Sequence, residues 1–326
     1  MALALTLGTG AYDRTIPLAD GTVVPEGVEL QVTNMNPGEL FRLQARTAQF
    51  DVAEFSLSTY CMLLGRGDDR FVGIPVFPSR MFRHRSLFIN TNAGIRRAED
   101  LAGKRMGSPE FQQTAGVWMR GFLEADHGVG QEQMEWHFGS FNEPGPYHER
   151  APVKLPDGLP HRIIPETTSL SEALANGEID AIMSAQAPAS LGQSPNVARL
   201  FPDYPAVELD YFRRTGYFPI MHTVVIRRAI YEEHPWVARR LFDAFIEAKR
   251  VGTARLAADG TPYAGLPWLT HHLEELERSM GPDPYTYGYG ASLSNVEGFL
   301  RMSHRQGLTP RVLDPAELFV KELQAS

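Results

Sequence analysis

A single cysteine, Cys61, stands in a chain of 326 residues, so no internal disulfide can form, and its setting in the apolar run YCMLLG points to a buried structural thiol rather than a nucleophile. There is no GxSxG turn, and the histidines show no HExxH, HxH or CxxC spacing, so the usual signatures of serine hydrolases and zinc enzymes are missing. His271 and His272 are neighbours on a helical pattern and would project in different directions. A divalent ion held by scattered ligands is the metal arrangement left open. No run approaches the roughly 18 apolar residues of a membrane helix. The opening MALALTLGTGAYDRT lacks a basic start and a small-residue cleavage site, so cytoplasm is the expected location and a membrane is not an expected partner. Basic residues are outnumbered, 31 against 39 acidic, for a formal net charge of -8. That balance argues against nucleic acid as a partner, since such binding neutralises phosphates with Lys and Arg, and it makes any anion site local. Nothing in the chain specifies an oligomeric state, and a homo-oligomer is left open.

What is present is ordinary globular composition, 43% hydrophobic and 21% charged, in a length that suits two modest cores. Short β-branched or alternating segments, LALTLGT, VELQVTN, DVAEFSL, FVGIPVF, SLFIN, KRMGS, HRIIPE, IDAIMS and HTVVIRR, are separated by helical patterns, which predicts α/β layers with mainly parallel sheet. Helix starts are marked at Asn36-Pro37, Ser108-Pro109, Thr168-Ser169 and Asp314-Pro315. Phe111, Ala115, Trp118 and Phe122 recur at helical spacing and are expected to face a core. Two stretches, SLFINTNAGIRRAEDLAGKRMGS and FPIMHTVVIRRAIYEEHPWVARRLF, read as crossings between lobes. Residues 1–90 and 218–326 would then form one lobe and 91–217 an inserted one, with a Pro- and Gly-rich flap near 142–160.

The runs GIPVFPSRMFRHRSLFIN, DLAGKRMGSPEFQQTAGVWMRGFL, GEIDAIMSAQAP, TGYFPIMHTVVIRRAIYEEHPWVARRLFDAF and MSHRQGLTPRVLDPAELF together resemble the 4,5-dihydroxyphthalate decarboxylase family. The likeness spans nearly the whole chain. DLAGKRMG and HPW are shared with many type II solute-binding proteins, whereas PSRMFRH, EFQQTAGVW and FPIMH in this order are far more specific. The resemblance implies a two-lobed, type II periplasmic-binding-protein-like fold with a ligand cleft between the lobes, and a carboxy-lyase without an organic cofactor acting on a small aromatic carboxylate. The competing reading is a solute-binding protein for an aromatic acid that performs no chemistry.

Ligands of open α/β sheets bind beyond the carboxyl ends of strands, so candidate residues are sought there. Ser56 and Ser58 follow DVAEF and could hold an anion at a helix N-terminus or simply cap it; Glu54 before them points into the cleft or pairs with an arginine. PSRMFRHR concentrates Arg80, Arg83, His84 and Arg85 after an apolar strand; guanidinium forks suit a dicarboxylate, and Arg85 fits lobe packing equally well. Glu110 and Thr114, four residues apart, are expected to share a helix face. Gln186 follows IDAIM, beside Ser184, where some relatives would carry a basic residue. His222 lies at the second crossing, and His148 and Arg150 in the flap. Tyr285, Tyr287 and Tyr289 line a pocket mouth or pack a turn.

Loss of CO₂ from an aryl ring leaves an untenable carbanion unless a para or ortho hydroxyl feeds electrons to a ring carbon that is being protonated. The resemblance thus suggests His84 or His222 as proton donor, Glu110 or the other histidine as phenol base, and Arg80, with Arg83, Ser56, Ser58, Thr114 and Gln186, as substrate contacts.

Overall fold

The computed structural model describes residues 2–258 and 263–326. In chain order the strands are β1 (Leu3–Thr9), β2 (Val28–Asn34), β3 (Val52–Ser56), β4 (Phe71–Ile74), β5 (Leu87–Asn90), β6 (Arg105–Ser108), β7 (Glu135–Phe138), β8 (His161–Ile163), β9 (Ala181–Met183), β10 (Val197–Arg199) and β11 (His222–Arg227). The chain divides into two compact units. Met1–Arg80, Ile220–Glu297 and Leu313–Ser326 form the first, and Met81–Pro219 with Gly298–Val312 forms the second. The first boundary therefore falls ten residues before the expected position 90, and the basic segment is divided, Arg80 in one unit and Arg83, His84 and Arg85 in the other. A C-terminal stretch, Gly298–Val312, also joins the second unit rather than the first.

In the first unit the sheet order is β2-β1-β3-β11-β4. β1 runs parallel to β2 and β3, while β11 is antiparallel to both β3 and β4. In the second unit the order is β10-β5-β9-β6-β7-β8, with β5 antiparallel to β9 and β10 and the other pairings parallel. Both sheets are thus mixed rather than simply parallel, and each carries one reversed strand. Those strands, β5 and β11, are the first the chain enters after changing unit. They belong to the two stretches read from sequence as crossings. β3 and β4 are buried at every residue, so their apolar runs do not alternate, as expected for strands covered on both faces.

Helices cover the sheets. Asn36 caps Pro37–Thr47 by accepting the Gly38 N–H at 2.9 Å, and Ser169 with Glu172 forms a capping box on Leu170–Asn176. The first core gathers Leu7, Val52, Phe55, Ile74, Val225, Leu241 and Phe245; the second gathers Phe88, Leu170, Leu174, Ile179 and Ile182 around its sheet. All nine strands expected from sequence are present, and β7 and β10 are additional. One helix start is corrected. Ser108-Pro109 does not open a helix; residues 109–113 form a turn and the helix runs Thr114–His127, so Glu110 and Thr114 do not share a helical face. Tertiary hydrogen bonds account for this, because Glu149 takes the Phe111 N–H at 2.8 Å and Arg120 donates to the Phe111 carbonyl at 2.9 Å. Among the described residues no helix is long and apolar enough to cross a membrane.

Candidate active site

The strand register of the first unit brings a buried acid to a histidine. His222 is paired with Ser56 and Val224 with Glu54 across β11 and β3, so Glu54 and His222 are diagonal neighbours on one face. Because β11 runs against its neighbours, its first residue arrives where β1 and β3 end, the edge at which open α/β sheets bind ligands. Glu54 is fully buried and accepts four hydrogen bonds. Its Oε1 meets His222 Nδ1 at 2.5 Å and the Tyr12 hydroxyl at 2.7 Å; its Oε2 takes the Gly10 N–H at 2.7 Å and the Thr9 hydroxyl at 3.2 Å. Burial opposes ionisation of Glu54, but His222, the Gly10 N–H and the Tyr12 hydroxyl outweigh it and hold the carboxyl below its usual range. Glu54 is therefore a carboxylate at neutral pH. Nδ1 of His222 carries a proton to meet it, so Nε2 is the ring nitrogen that Glu54 does not engage. The imidazole stands edge-on to Phe41, ring centroids 4.6 Å apart. Burial, then the charge of Glu54, pushes the Tyr12 phenol up, so it stays a donor.

Arg14 follows directly. Its guanidinium lies over the rings of Tyr12 and Tyr285, 4.5 and 4.2 Å from their centroids, with Nε on the Pro78 carbonyl at 2.5 Å and Nη1 on Asp13 at 2.7 Å. Arg80 is 3% exposed and donates from Nη2 to the Thr286 carbonyl and the Ser292 hydroxyl, both at 2.8 Å. Burial pushes its guanidinium down to about 10, which leaves it charged at neutral pH. The Gly288 N–H is held by the Pro75 carbonyl at 2.9 Å, so Tyr287 is fixed from both sides. Ser56 caps the helix Leu57–Gly65 by accepting the Thr59 N–H at 3.3 Å, and Ser58 is buried in its first turn.

The remaining sequence candidates lie in the second unit. Arg83 donates to the Ala185 carbonyl at 2.9 Å. Glu110 is paired with Arg150, and Glu149, on the Tyr147 hydroxyl, also binds Gln112 at 2.9 Å, so the 142–160 segment is anchored to the 109–113 turn. Thr114 is the first, buried residue of its helix; Gln186 is exposed, its N–H on Ser184 Oγ at 3.3 Å; His148 is exposed. His84 stacks on Phe122 at 4.0 Å with Phe201 and Tyr211 at its edges, and its Nδ1 has no hydrogen-bond partner among the described residues.

Burial holds the His84 imidazole down at about 4, against about 6.5 in an unfolded chain. The unfolded chain takes the proton first, so the stability contributed by neutral His84 is full above the unfolded value and is lost as pH falls from there toward the folded one. His84→Phe, which keeps the stack, is expected to remove about 2 kcal/mol of the stability lost between about pH 8 and pH 5. Urea unfolding of parent and variant at the two pH values checks it.

No family model matches the sequence. Among curated proteins, the chain is 38% identical over 318 residues to 4,5-dihydroxyphthalate decarboxylase of Comamonas testosteroni, covering 97% of this chain and 96% of that protein. It is 40% identical over 216 residues to the enzyme of the same name from Pseudomonas putida, covering 66% of this chain and 83% of that one. The chain belongs to the 4,5-dihydroxyphthalate decarboxylase family. The periplasmic aliphatic sulphonate binding protein of Escherichia coli superposes with a TM-score of 0.56 at 12% identity, over 98% of this chain and 93% of that one, which shows the periplasmic-binding-protein-like fold alone.

The first unit thus holds a carboxylate-backed imidazole, Glu54 with His222, and a guanidinium, Arg14, stacked over Tyr12 and Tyr285. The sequence singled out His222 as a candidate and left Glu54 between two roles; the fold brings the two together. Tyr12, which donates to Glu54, stands in GAYDR just after β1 and was not among the sequence candidates. Among the described residues no three His, Cys, Asp or Glu side chains gather as metal ligands. Gly10 matters to the assembly, since a methyl there would lie 2.7 Å from the Tyr12 ring. Gly10→Ala is expected to displace the Tyr12 phenol from Glu54 and lower kcat about tenfold, read from steady-state CO₂ release; the lost Tyr12–Glu54 hydrogen bond to a charged group sets that scale.

Proposed function

We propose that this enzyme, a decarboxylase by family, removes one carboxylate of 4,5-dihydroxyphthalate or a close dihydroxylated aromatic acid as CO₂, with His222 supplying the proton that takes its place. The observation that carries the reading is the Glu54–His222 pair at the carboxyl ends of β1 and β3, 2.5 Å apart. An ionised carboxylate in contact with an imidazole stabilises its protonated form and fixes the ring's orientation.

The step balances as follows. The ring carbon bearing the carboxylate takes a proton from His222 Nε2, and the hydroxyl oxygen para to that carbon donates electron density, so the intermediate is not a carbanion. The carbon–carbon bond then breaks, its electron pair returns to the ring, and CO₂ departs. His222, now neutral and still hydrogen-bonded through Nδ1 to Glu54, regains a proton from water. From 4,5-dihydroxyphthalate the product is 3,4-dihydroxybenzoate.

Within this scheme Arg80 sets the Thr286–Ser292 segment rather than gripping substrate, and Ser56 serves the helix it caps. His84, neutral and enclosed by aromatic rings, and Glu110, engaged by Arg150, are not used for proton transfer. Arg83, bonded to Ala185, and Ser58, Thr114 and Gln186 are given no step. The test is incubation of the purified protein with 4,5-dihydroxyphthalate while trapped CO₂ and the phenolic product are followed; stoichiometric release of both is expected. Reversible binding without CO₂ would make the protein a solute-binding protein and end the proposal.

A further inference from the structure

Two donors share one oxygen in the first unit. Oε1 of Glu54 accepts from the Tyr12 hydroxyl at 2.7 Å and from His222 Nδ1 at 2.5 Å, while Oε2 serves the Gly10 N–H and the Thr9 hydroxyl. Tyr12 and His222 therefore draw on the same electron density. A hydrogen bond to a carboxylate stabilises its charged form and makes it less basic, and a less basic carboxylate holds an imidazolium proton less firmly. Tyr12 thus reaches His222 through Glu54.

The phenol is built as a permanent donor. Burial, then the charge of Glu54, pushes it far above its ordinary range, so it keeps its proton through neutral and mildly alkaline pH. The Arg14 guanidinium lies over its ring, 4.5 Å from the centroid, and a cation on the face of a phenol draws charge from the oxygen and strengthens the hydroxyl as a donor. Arg14 is itself fixed by the Pro78 carbonyl and Asp13. The other groups facing this assembly are the Ser79 hydroxyl, beside the Tyr12 oxygen, and the Tyr287 phenol, which is raised by burial and lies within reach of the charges of Arg14, Glu54, Asp13 and Arg80. Phe41 meets the imidazole as an apolar ring.

We infer that Tyr12 sets the acid strength of His222: its hydrogen bond to the shared oxygen keeps Glu54 from holding the imidazolium too firmly, so that His222 can release a proton to the ring carbon. Tyr12 is then a positioning residue that acts through Glu54 rather than on the substrate. Its effect on turnover rests on the proposed decarboxylation; its effect on the proton equilibrium of His222 does not.

The experiment compares the parent with Tyr12→Phe and with a ring-fluorinated tyrosine in place of Tyr12, a more acidic phenol of nearly the same shape. The His222 imidazole is titrated by its NMR resonances, and kcat for CO₂ release from 4,5-dihydroxyphthalate is followed against pH. Loss of a hydrogen bond to a charged group corresponds to about a tenfold change in the proton equilibrium, or about one pH unit. In Tyr12→Phe the titration midpoint and the alkaline limb of kcat are expected to move up by about that unit, because Glu54 then holds the imidazolium harder. The plateau of kcat is expected to fall about tenfold, because a weaker acid gives up its proton more slowly. Fluorotyrosine, donating more strongly, should move both midpoint and limb down. A midpoint that stays put or moves the opposite way overturns the assignment, even where kcat falls. If Tyr12→Phe does not fold, the fluorotyrosine protein decides by the same two readings. The titration needs no turnover, so an inactive parent refutes the decarboxylation alone, whereas an active parent whose His222 midpoint ignores the phenol refutes only the role of Tyr12.

Discussion

His222→Gln is expected to lose about 10²–10⁴-fold in kcat for CO₂ release, the usual contribution of a positioned general acid, with KM within a few-fold of the parent. Glutamine is the informative replacement because its amide can still donate to Glu54, which otherwise would be left a fully buried carboxylate short of a partner. The ring of His222 meets Phe41 in a T-shaped contact rather than a stack, and glutamine keeps the hydrogen bond to Glu54, so thermal unfolding should stay near that of the parent. A loss in kcat at unchanged stability separates proton transfer from a structural role. Steady-state kinetics and a melting curve on the same preparation read both.

Glu54→Gln is expected to damage activity and stability together. The amide cannot accept from all four donors, and its NH₂ faces groups that themselves donate. Breaking such a buried network by altering one partner costs about 3 kcal/mol. Without the carboxylate the imidazole loses both its orientation and the charge that favours its protonated form, so kcat should fall by about 10²-fold or more. The pH dependence has a defined sign. The Glu54 carboxyl is held below its usual range in the folded protein, so its contribution to stability is full above the ordinary glutamate value of about 4.3 and is lost as pH falls through the depressed folded value. Glu54→Gln should therefore flatten that part of the acid limb in a plot of unfolding free energy against pH, besides lowering the neutral plateau. An acid limb identical to the parent's would contradict the assignment of Glu54 as a buried carboxylate.

How far the sequence could be read depended on whether local signals or distant partners fixed each feature. Nine strands were legible because β-branched apolar runs bounded by turns are local signals, and β11 was legible together with its histidine. β7 (EWHF) has no β-branched residue and β10 (VAR) has one, so neither offered the pattern. Ser108-Pro109 imitated a helix start, but Glu149, distant in sequence, and Arg120 of the following helix bind the backbone of Phe111 and delay the helix to Thr114. The density of charge in PSRMFRHR suggested one anion clamp. In the folded chain Arg80 donates to Thr286 and Ser292, Arg83 donates to Ala185, and His84 lies among aromatic rings. A run of cations does not say which carbonyls will meet it. Glu54 could be read as inward-facing but its four donors come from β1, the GAYDR turn and β11, and only the assembled sheet reveals them. Tyr12, the donor from the GAYDR turn, stands just after β1, a position of the same kind as the other candidates beyond strand ends.

The most direct test of His222 as the source of the ring proton is its replacement by glycine, with imidazole added back. CO₂ release from 4,5-dihydroxyphthalate by His222→Gly should be nearly abolished and should rise with imidazole concentration, more at pH values where imidazole is protonated. Release at the parental rate without imidazole would contradict the account.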